Sequence, residues 1–350
     1  MSKSKATKGE TIASIGEFGL IQGITAHLKS NRVKSAGVVL PPGDDAAIWQ
    51  PRAGHQVVIS TDMLIEGSHF RHDWSNAESI GHRAIAVNAS DIAAMGARPR
   101  VAVISLGLRS ATRDTWVYDF YRGAMELGRK CHLRIIGGDV VRSQAKTVIS
   151  VTVMGELPRN SAGLRRDRAR PGDVLAVTGP LGMAAAGVRI LNQNSIRVDG
   201  APQMLDAHRR PVPRVLEGIL LRRAGVEAAM DISDGLFGDL PKMCSASGVM
   251  ATLRQDQIPI PLAVRWNFPD EWFDLGTRGG EDFELLFSCS EETFERVKQL
   301  FKRFKRPEPR QIGVLTAAKE NGPQIRIKGL DLRTVDVEPG AFDHFQPTLR

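Results

Sequence analysis

The chain has 350 residues, 42% hydrophobic and 25% charged, a globular composition far from that of a disordered chain. Lys and Arg number 47 against 39 Asp and Glu, a formal charge of +8, which favours anionic partners without choosing among nucleotides, nucleic acid and anionic membranes. Three widely spaced cysteines, Cys131, Cys244 and Cys289, exclude a disulfide framework and a paired zinc site. No apolar run of ~18 residues exists to span a membrane.

Residues 1–10 read as a disordered basic tail. MSKSKATKG leads into no apolar signal-peptide core, as expected of a cytoplasmic protein. Residues 11–30 read as a helix bent by its glycines. HQVVIST, 55–61, is a strand ending on a polar cluster. Residues 76–95 carry Ile80, Ala84, Val87 and Ala94 on one helical face. A strand at 101–108, a helix at 113–132, a short strand at 133–136 ending on Gly137-Gly138-Asp139, and a strand at 147–154 follow. This β-α-β-α-β-β order predicts an α/β mixture with crossovers.

Residues 158–173 (PRNSAGLRRDRARPGD) are rich in Arg, Pro and Gly and poor in apolar residues, as a linker would be. The predicted organisation is therefore a domain at 11–157, an Arg-rich linker at 158–173 and a second domain at 174–350. Beyond the linker the pattern predicts strands at 174–178, 228–232, 283–288 and 311–315. Helices are predicted at 183–193, 211–223, 235–247 and 291–304, the second of them with Pro near its start.

Aspartates recur where apolar segments stop and glycines begin. They are Asp44-Asp45 in GDDAA, Asp62 in STD, Asp91 in NASD, Asp139 in GGD, Asp231 and Asp234 in DISDG, and Glu281-Asp282 in GGED. Any one of them is a common turn former or helix cap: Ser233 or Asp234 could cap the next helix, and Asp282 could close a turn. Brought together, such carboxylates repel and require cations or protons. Oxygen-only ligands suit hard cations such as Mg²⁺, and several Mg²⁺ ions suit polyphosphate chemistry. The Gly-x-x-x-x-Gly-Lys-Ser/Thr phosphate loop is absent. Gly43, Gly137-Gly138 and the turn at 179–182 could still offer backbone amides to phosphate.

In chain order, GEFGLI (16–21), GDDAA (43–47), STDMLIEGSHF (60–70), AVNASDIAAMGARP (86–99), IGGDVVRS (136–143), VTGPLGMAAAG (177–187), MDISDGLFGDL (230–240), GGEDFELLF (279–287) and FDHF (342–345) cover nearly the whole chain. This set resembles the thiamine-monophosphate kinases, within the aminoimidazole-ribonucleotide-synthetase superfamily of ATP-using enzymes. The resemblance implies a two-domain α/β (α+β) fold of that superfamily, with an N-terminal domain that pairs through its sheet and binds ATP and Mg²⁺. A cytoplasmic homodimer is implied too, with no nucleic-acid or membrane partner. The implied reaction moves the ATP γ-phosphoryl group onto thiamine monophosphate. By the same resemblance Asp45, Ser60, Thr61, Asp62, Asp91, Asp139, Asp231 and Asp234 hold several Mg²⁺ ions, with K⁺ left open. Gly138, Asp139, Arg166 and Ser233 meet ATP, while His69, Glu281 and Phe342 meet the acceptor. No single general base is implied.

The chain departs from the family pattern in three places. Val140 and Val141 stand where Thr-Thr is usual, Gly182-Met183 where Gly-Asp is usual, and Phe342 where Trp or Tyr is usual. These bear on the acceptor, so a relative acting on another phosphate ester stays open. A nucleic-acid-binding protein using Lys302-Arg303-Phe304-Lys305-Arg306 and the Arg-rich linker is the alternative from another class.

Overall fold

The computed structural model describes residues 9–30, 37–193, 198–319, 322, 324–338 and 340. They divide into two compact units, Met1–Asn88 with Pro99–Glu156, and Ala89–Arg98 with Leu157–Arg350.

In chain order the first unit contains α1 (Ile12–Ser30), β1 (Val38–Leu40), β2 (Ile48–Trp49), β3 (His55–Ile65), α2 (Ala77–Ala94), β4 (Arg98–Leu108), α3 (Asp114–Cys131), β5 (Arg134–Arg142) and β6 (Val148–Pro158). Residues 89–94 at the end of α2 count with the second unit. Helix α1 is kinked at Gly16, whose φ is 72°. Strands β3-β6-β4-β5 form one sheet in that order, and β1 pairs with β2. Ile104, Leu106, Phe120, Ile149 and Val151 are buried in this unit.

Two strands run further than their sequence patterns suggest. The polar cluster expected at the end of β3 lies within it, because the strand continues to Ile65. The strand expected to stop before Gly137 continues through Gly137-Gly138-Asp139 to Arg142, paired in parallel with β4. Before it, α3 closes with His132 in the left-handed region, φ 58°, and the Leu133 N–H returns to the Gly128 carbonyl at 2.8 Å. This satisfies the helix's last acceptors and turns the chain into β5.

The second unit holds β7 (Val174–Val177), α4 (Met183–Asn192), α5 (Ala201–Arg209), α6 (Val215–Ala224), β8 (Ala228–Asp231), α7 (Leu236–Ser247), β9 (Val249–Arg254), α8 (Leu262–Asn267), α9 (Trp272–Thr277), β10 (Leu285–Cys289), α10 (Glu291–Arg303), β11 (Arg310–Ala317), β12 (Ile325–Lys328) and β13 (Thr334–Asp336). Its seven strands order as β13-β12-β9-β11-β7-β10-β8. Only the β12–β9 pair is parallel among the described strands of this sheet.

Both faces of this sheet are covered. Leu175, Val177, Ala228, Met230 and Leu286 join one core, whereas Val174, Ala176, Ala229, Leu285 and Phe287 join another. Alternate residues of one strand thus serve opposite faces. Such strands read as unbroken apolar runs. The helix expected from Pro211 begins only at Val215, since each residue before Pro211 and Pro213 is driven out of the helical region. Pro241 inside α7 leaves the Phe237 carbonyl without its usual amide. The Gly340 N–H takes that place at 3.3 Å.

Candidate functional site

In the first unit a cavity of about 840 Å³ is lined by Gly43, Asp44 and Asp45 from the loop after β1 and by Gly137, Gly138 and Asp139 of β5. Ser105, the ladder partner of Asp139, and Trp49 also line it. Asp45 and Asp139 are exposed, so both acids face this space with little burial cost. Gly138 pairs with Ile104, and a Cβ there would collide with the Ile104 carbonyl. The bare backbone is what lets β5 carry Asp139 along the cavity wall. The structure therefore brings Asp45, Gly138 and Asp139 together.

The Ser60-Thr61-Asp62 cluster is divided by strand geometry. Successive side chains of β3 point to opposite faces, and the Thr61 hydroxyl bonds the Val151 carbonyl at 3.2 Å and Thr152 Oγ1 at 3.0 Å. Ser60 and Asp62 share the other face with buried Leu64. His69 lies just past β3 in a tight turn, where its Nδ1 accepts the Ile65 N–H at 3.1 Å. Its ring proton therefore sits on Nε2 when the ring is neutral.

The second unit assembles a different set. At the end of α2, Ser90 Oγ donates to Asp231 Oδ2 at 2.7 Å. Burial, then the nearby Asp91 charge, pushes the Asp231 carboxyl well above the ordinary carboxylate range. Two carboxylates so placed favour a proton or a cation between them. After β8 the chain turns through Ser233 and Asp234, whose N–H groups both donate to Asp239 Oδ2 at 2.8 Å. Lys242 Nζ reaches Asp239 Oδ1 at 2.7 Å and Asp234 Oδ2 at 2.6 Å. Asp239 is 1% exposed and is the anchor of this loop.

The acidic run after α9 serves three purposes. Glu281 has a left-handed backbone, φ 74°. Its N–H bonds the Ser233 carbonyl at 2.8 Å, and its Oε2 lies 2.9 Å from His208 Nδ1. Gly280 before it must be glycine, since a Cβ would strike the Ser233 carbonyl. Asp282 accepts the N–H groups of Gly182 at 2.7 Å and Ala184 at 3.2 Å, so it caps α4 across the fold rather than closing a local turn. Burial pushes its carboxyl up to about 7 despite those bonds. Glu284 accepts from Thr178 Oγ1 at 2.6 Å and from Arg214 Nε at 2.8 Å.

Arg165, Arg168 and Arg170 in the Arg-rich segment pair with acids. The Arg166 carbonyl accepts from Ser247 Oγ at 2.8 Å, while its exposed guanidinium has no partner among the described residues. Phe342 lies outside the described residues, two positions beyond Gly340. Arg306, part of the basic run that would suit nucleic acid, pairs with buried Glu217. Among the described residues no three His, Cys, Asp or Glu side chains stand in metal-holding geometry. No helix among them is long and apolar enough to cross a membrane.

Sequence reasoning passed over Ser90, His208, Asp239, Lys242 and Glu284. Signals were available for four of them: Ser90, Asp239 and Glu284 fall inside the AVNASDIAAMGARP, MDISDGLFGDL and GGEDFELLF segments, and Lys242 follows Asp239 at the i+3 spacing of a helical ion pair. Nothing local marks His208.

Residues 43–157 match the AIR synthase related protein, N-terminal domain, and residues 170–326 its C-terminal domain. A thiamine-monophosphate kinase of Bacillus subtilis (strain 168) is 33% identical over 336 residues, 94% of this chain and 99% of that protein. The crystal structure of a thiamine-monophosphate kinase from Stenotrophomonas maltophilia K279a has a TM-score of 0.79 at 34% identity, covering 87% of this chain and 95% of the other. The solved structure of AaThiL complexed with AMPPCP and TMP has a TM-score of 0.72 at 28% identity, covering 97% of this chain and 100% of the other.

Proposed function

This chain belongs to the thiamine-monophosphate kinase family of AIR synthase related proteins, and we propose on that footing that it transfers the γ-phosphoryl group of ATP to the phosphate of thiamine monophosphate. The products are thiamine diphosphate and ADP. The observation that carries the reading is the joining of two loops in the second unit. Glu281, which by family likeness meets the acceptor, donates its N–H to the carbonyl of Ser233, which meets ATP, at 2.8 Å. Donor and acceptor contacts thus rest on one hydrogen-bonded pair of turns. A related structure holding AMPPCP and TMP together supports the same pairing of substrates.

The phosphate of the acceptor is already a nucleophile at neutral pH, so the protein's task is alignment and charge neutralisation. The donor set fits Mg²⁺. Exposed Asp45 and Asp139 face one cavity, and burial, then the nearby Asp91 charge, raises the proton affinity of Asp231. Mg²⁺ binds through one or two carboxylates together with water and substrate phosphates, rather than in an all-protein cage. Asp45, Asp62, Asp139, Asp91, Asp231 and Asp234 are the side chains to hold such ions. Bound there, Mg²⁺ would neutralise phosphate charge. Asp239 and Lys242 keep the Ser233-Asp234 turn in shape, and Arg166 offers a guanidinium to phosphate.

The cytoplasm is the compartment proposed. A homodimer pairing through the first unit is supported by β3, whose Val57, Ile59 and Met63 are exposed on the face of an edge strand. Purified protein given ATP, Mg²⁺ and thiamine monophosphate should form thiamine diphosphate, read by chromatography, and should fail with thiamine or with EDTA. Its mass in solution should be twice that of the chain. Phosphorylation of another phosphate ester with none of thiamine monophosphate would overturn the acceptor, and a monomeric mass the dimer.

A further inference from the structure

We propose that His208 is a positioning residue for the acceptor, acting through Glu281. The proposal rests on the reading of Glu281 as an acceptor contact. His208 lies in the last turn of α5 and is 4% exposed. Helix α5 meets α4 so closely that a Cβ at Gly187 would strike the Met204 carbonyl and lie 3.3 Å from His208 Cβ. The imidazole therefore has little room to move. Its Nδ1 stands 2.9 Å from Glu281 Oε2. A carboxylate can only accept, so Nδ1 carries the proton and donates it.

The other constraint on Glu281 is its backbone. A left-handed φ of 74° at a non-glycine residue, followed by another of 50° at buried Phe283, is a strained arrangement that persists only where the surroundings over-determine it. The Ser233 carbonyl holds the Glu281 N–H, and His208 holds its side chain. A glutamate on an exposed loop would keep its rotamer freedom and lose it only on binding. Here the side chain is 30% exposed yet gripped from the buried side, so its carboxylate is pre-organised. An acceptor with a cationic thiazolium and an aminopyrimidine is the ligand such a fixed, negatively charged carboxylate would recognise. His208 touches no substrate in this arrangement. It sets the plane and position of the group that does.

Two polar substitutions of similar bulk separate this role from a merely structural one. In His208→Asn the amide nitrogen falls close to the place of Nδ1, whereas in His208→Gln it falls closer to that of Nε2. Steady-state kinetics should show the Asn variant within about threefold of the wild-type KM for thiamine monophosphate and the Gln variant about tenfold higher, with KM for ATP moved less than about twofold in both. In a Glu281→Ala background, which removes the acceptor oxygen, the difference between the two variants should vanish. Equal KM values for the acceptor in the two variants, or equal changes in KM for ATP, would overturn the role of His208 while leaving the proposed reaction standing. A wild-type protein that makes no thiamine diphosphate would overturn both.

Discussion

The two units carry acidic groups of similar sequence appearance and opposite physical character. In the first, Asp45 and Asp139 are exposed on the wall of one cavity, and glycine backbone rather than side-chain bonding places them. In the second, Asp231, Asp239 and Glu284 are buried, Asp282 is half-buried, and each is engaged by a hydroxyl, an amide or a cation. A buried carboxylate is tolerated only when so engaged. Asp239, Asp282 and Glu284 therefore hold the loops in shape at a cost met by packing, while the first set is left available to a ligand. An acidic motif beside glycine does not by itself say which of these it is.

Substitutions should separate the two sets. The largest effect on the fold is expected at Asp239. Asp239→Ala strips two N–H groups and Lys242 of their shared partner, and breaking such a buried arrangement costs roughly 3 kcal/mol. Urea denaturation measures it, and a loss below about 1 kcal/mol would remove Asp239 from its place as anchor. In the first unit the expectation reverses. Asp139→Asn should lower turnover by about a hundredfold or more, as for lost stabilisation of developing charge. Its melting temperature should stay within about 2 °C of wild type. A variant equally active, or one markedly less stable, would erase the contrast between the units.

The smallest effect is one of pH. Desolvation in the fold pushes the Asp282 carboxyl from an ordinary 3.8 up to about 7. Between those values the folded state keeps a proton that the unfolded chain has released. The contribution is therefore complete below pH ~4 and lost as pH rises through ~7. The stability of wild type relative to Asp282→Asn should accordingly decline between pH 5 and 7.5, measured by denaturation at each. A difference constant with pH would mean that this carboxylate is not desolvated in the fold.

Much of the scaffold was legible in the residues. The apolar face at Ile80, Ala84 and Val87 sits in α2 (Ala77–Ala94). The helix expected at 291–304 spans Glu291–Arg303, with Ser290 accepting the Thr293 N–H at its start. Elements passed over were those without a local signature. Helices α8 and α9 have six residues each, too few for a helical period to emerge. Strand β9 shows no alternation because most of it is buried. Helix α5, on which the acceptor proposal depends, went unread, and so did His208.

Alone, the sequence determined which residue types stand where the backbone turns: glycines where chains approach closely, and acids beside them at the ends of apolar runs. Those choices follow from local sterics and short-range periodicity, which need no knowledge of neighbours. Only the tertiary structure decided what each acid does. Asp282 caps a helix a hundred residues before it, Asp231 receives a hydroxyl from the end of α2, and Glu281 is held by a histidine from α5. Such pairings depend on which groups packing buries together, and burial makes each one obligatory.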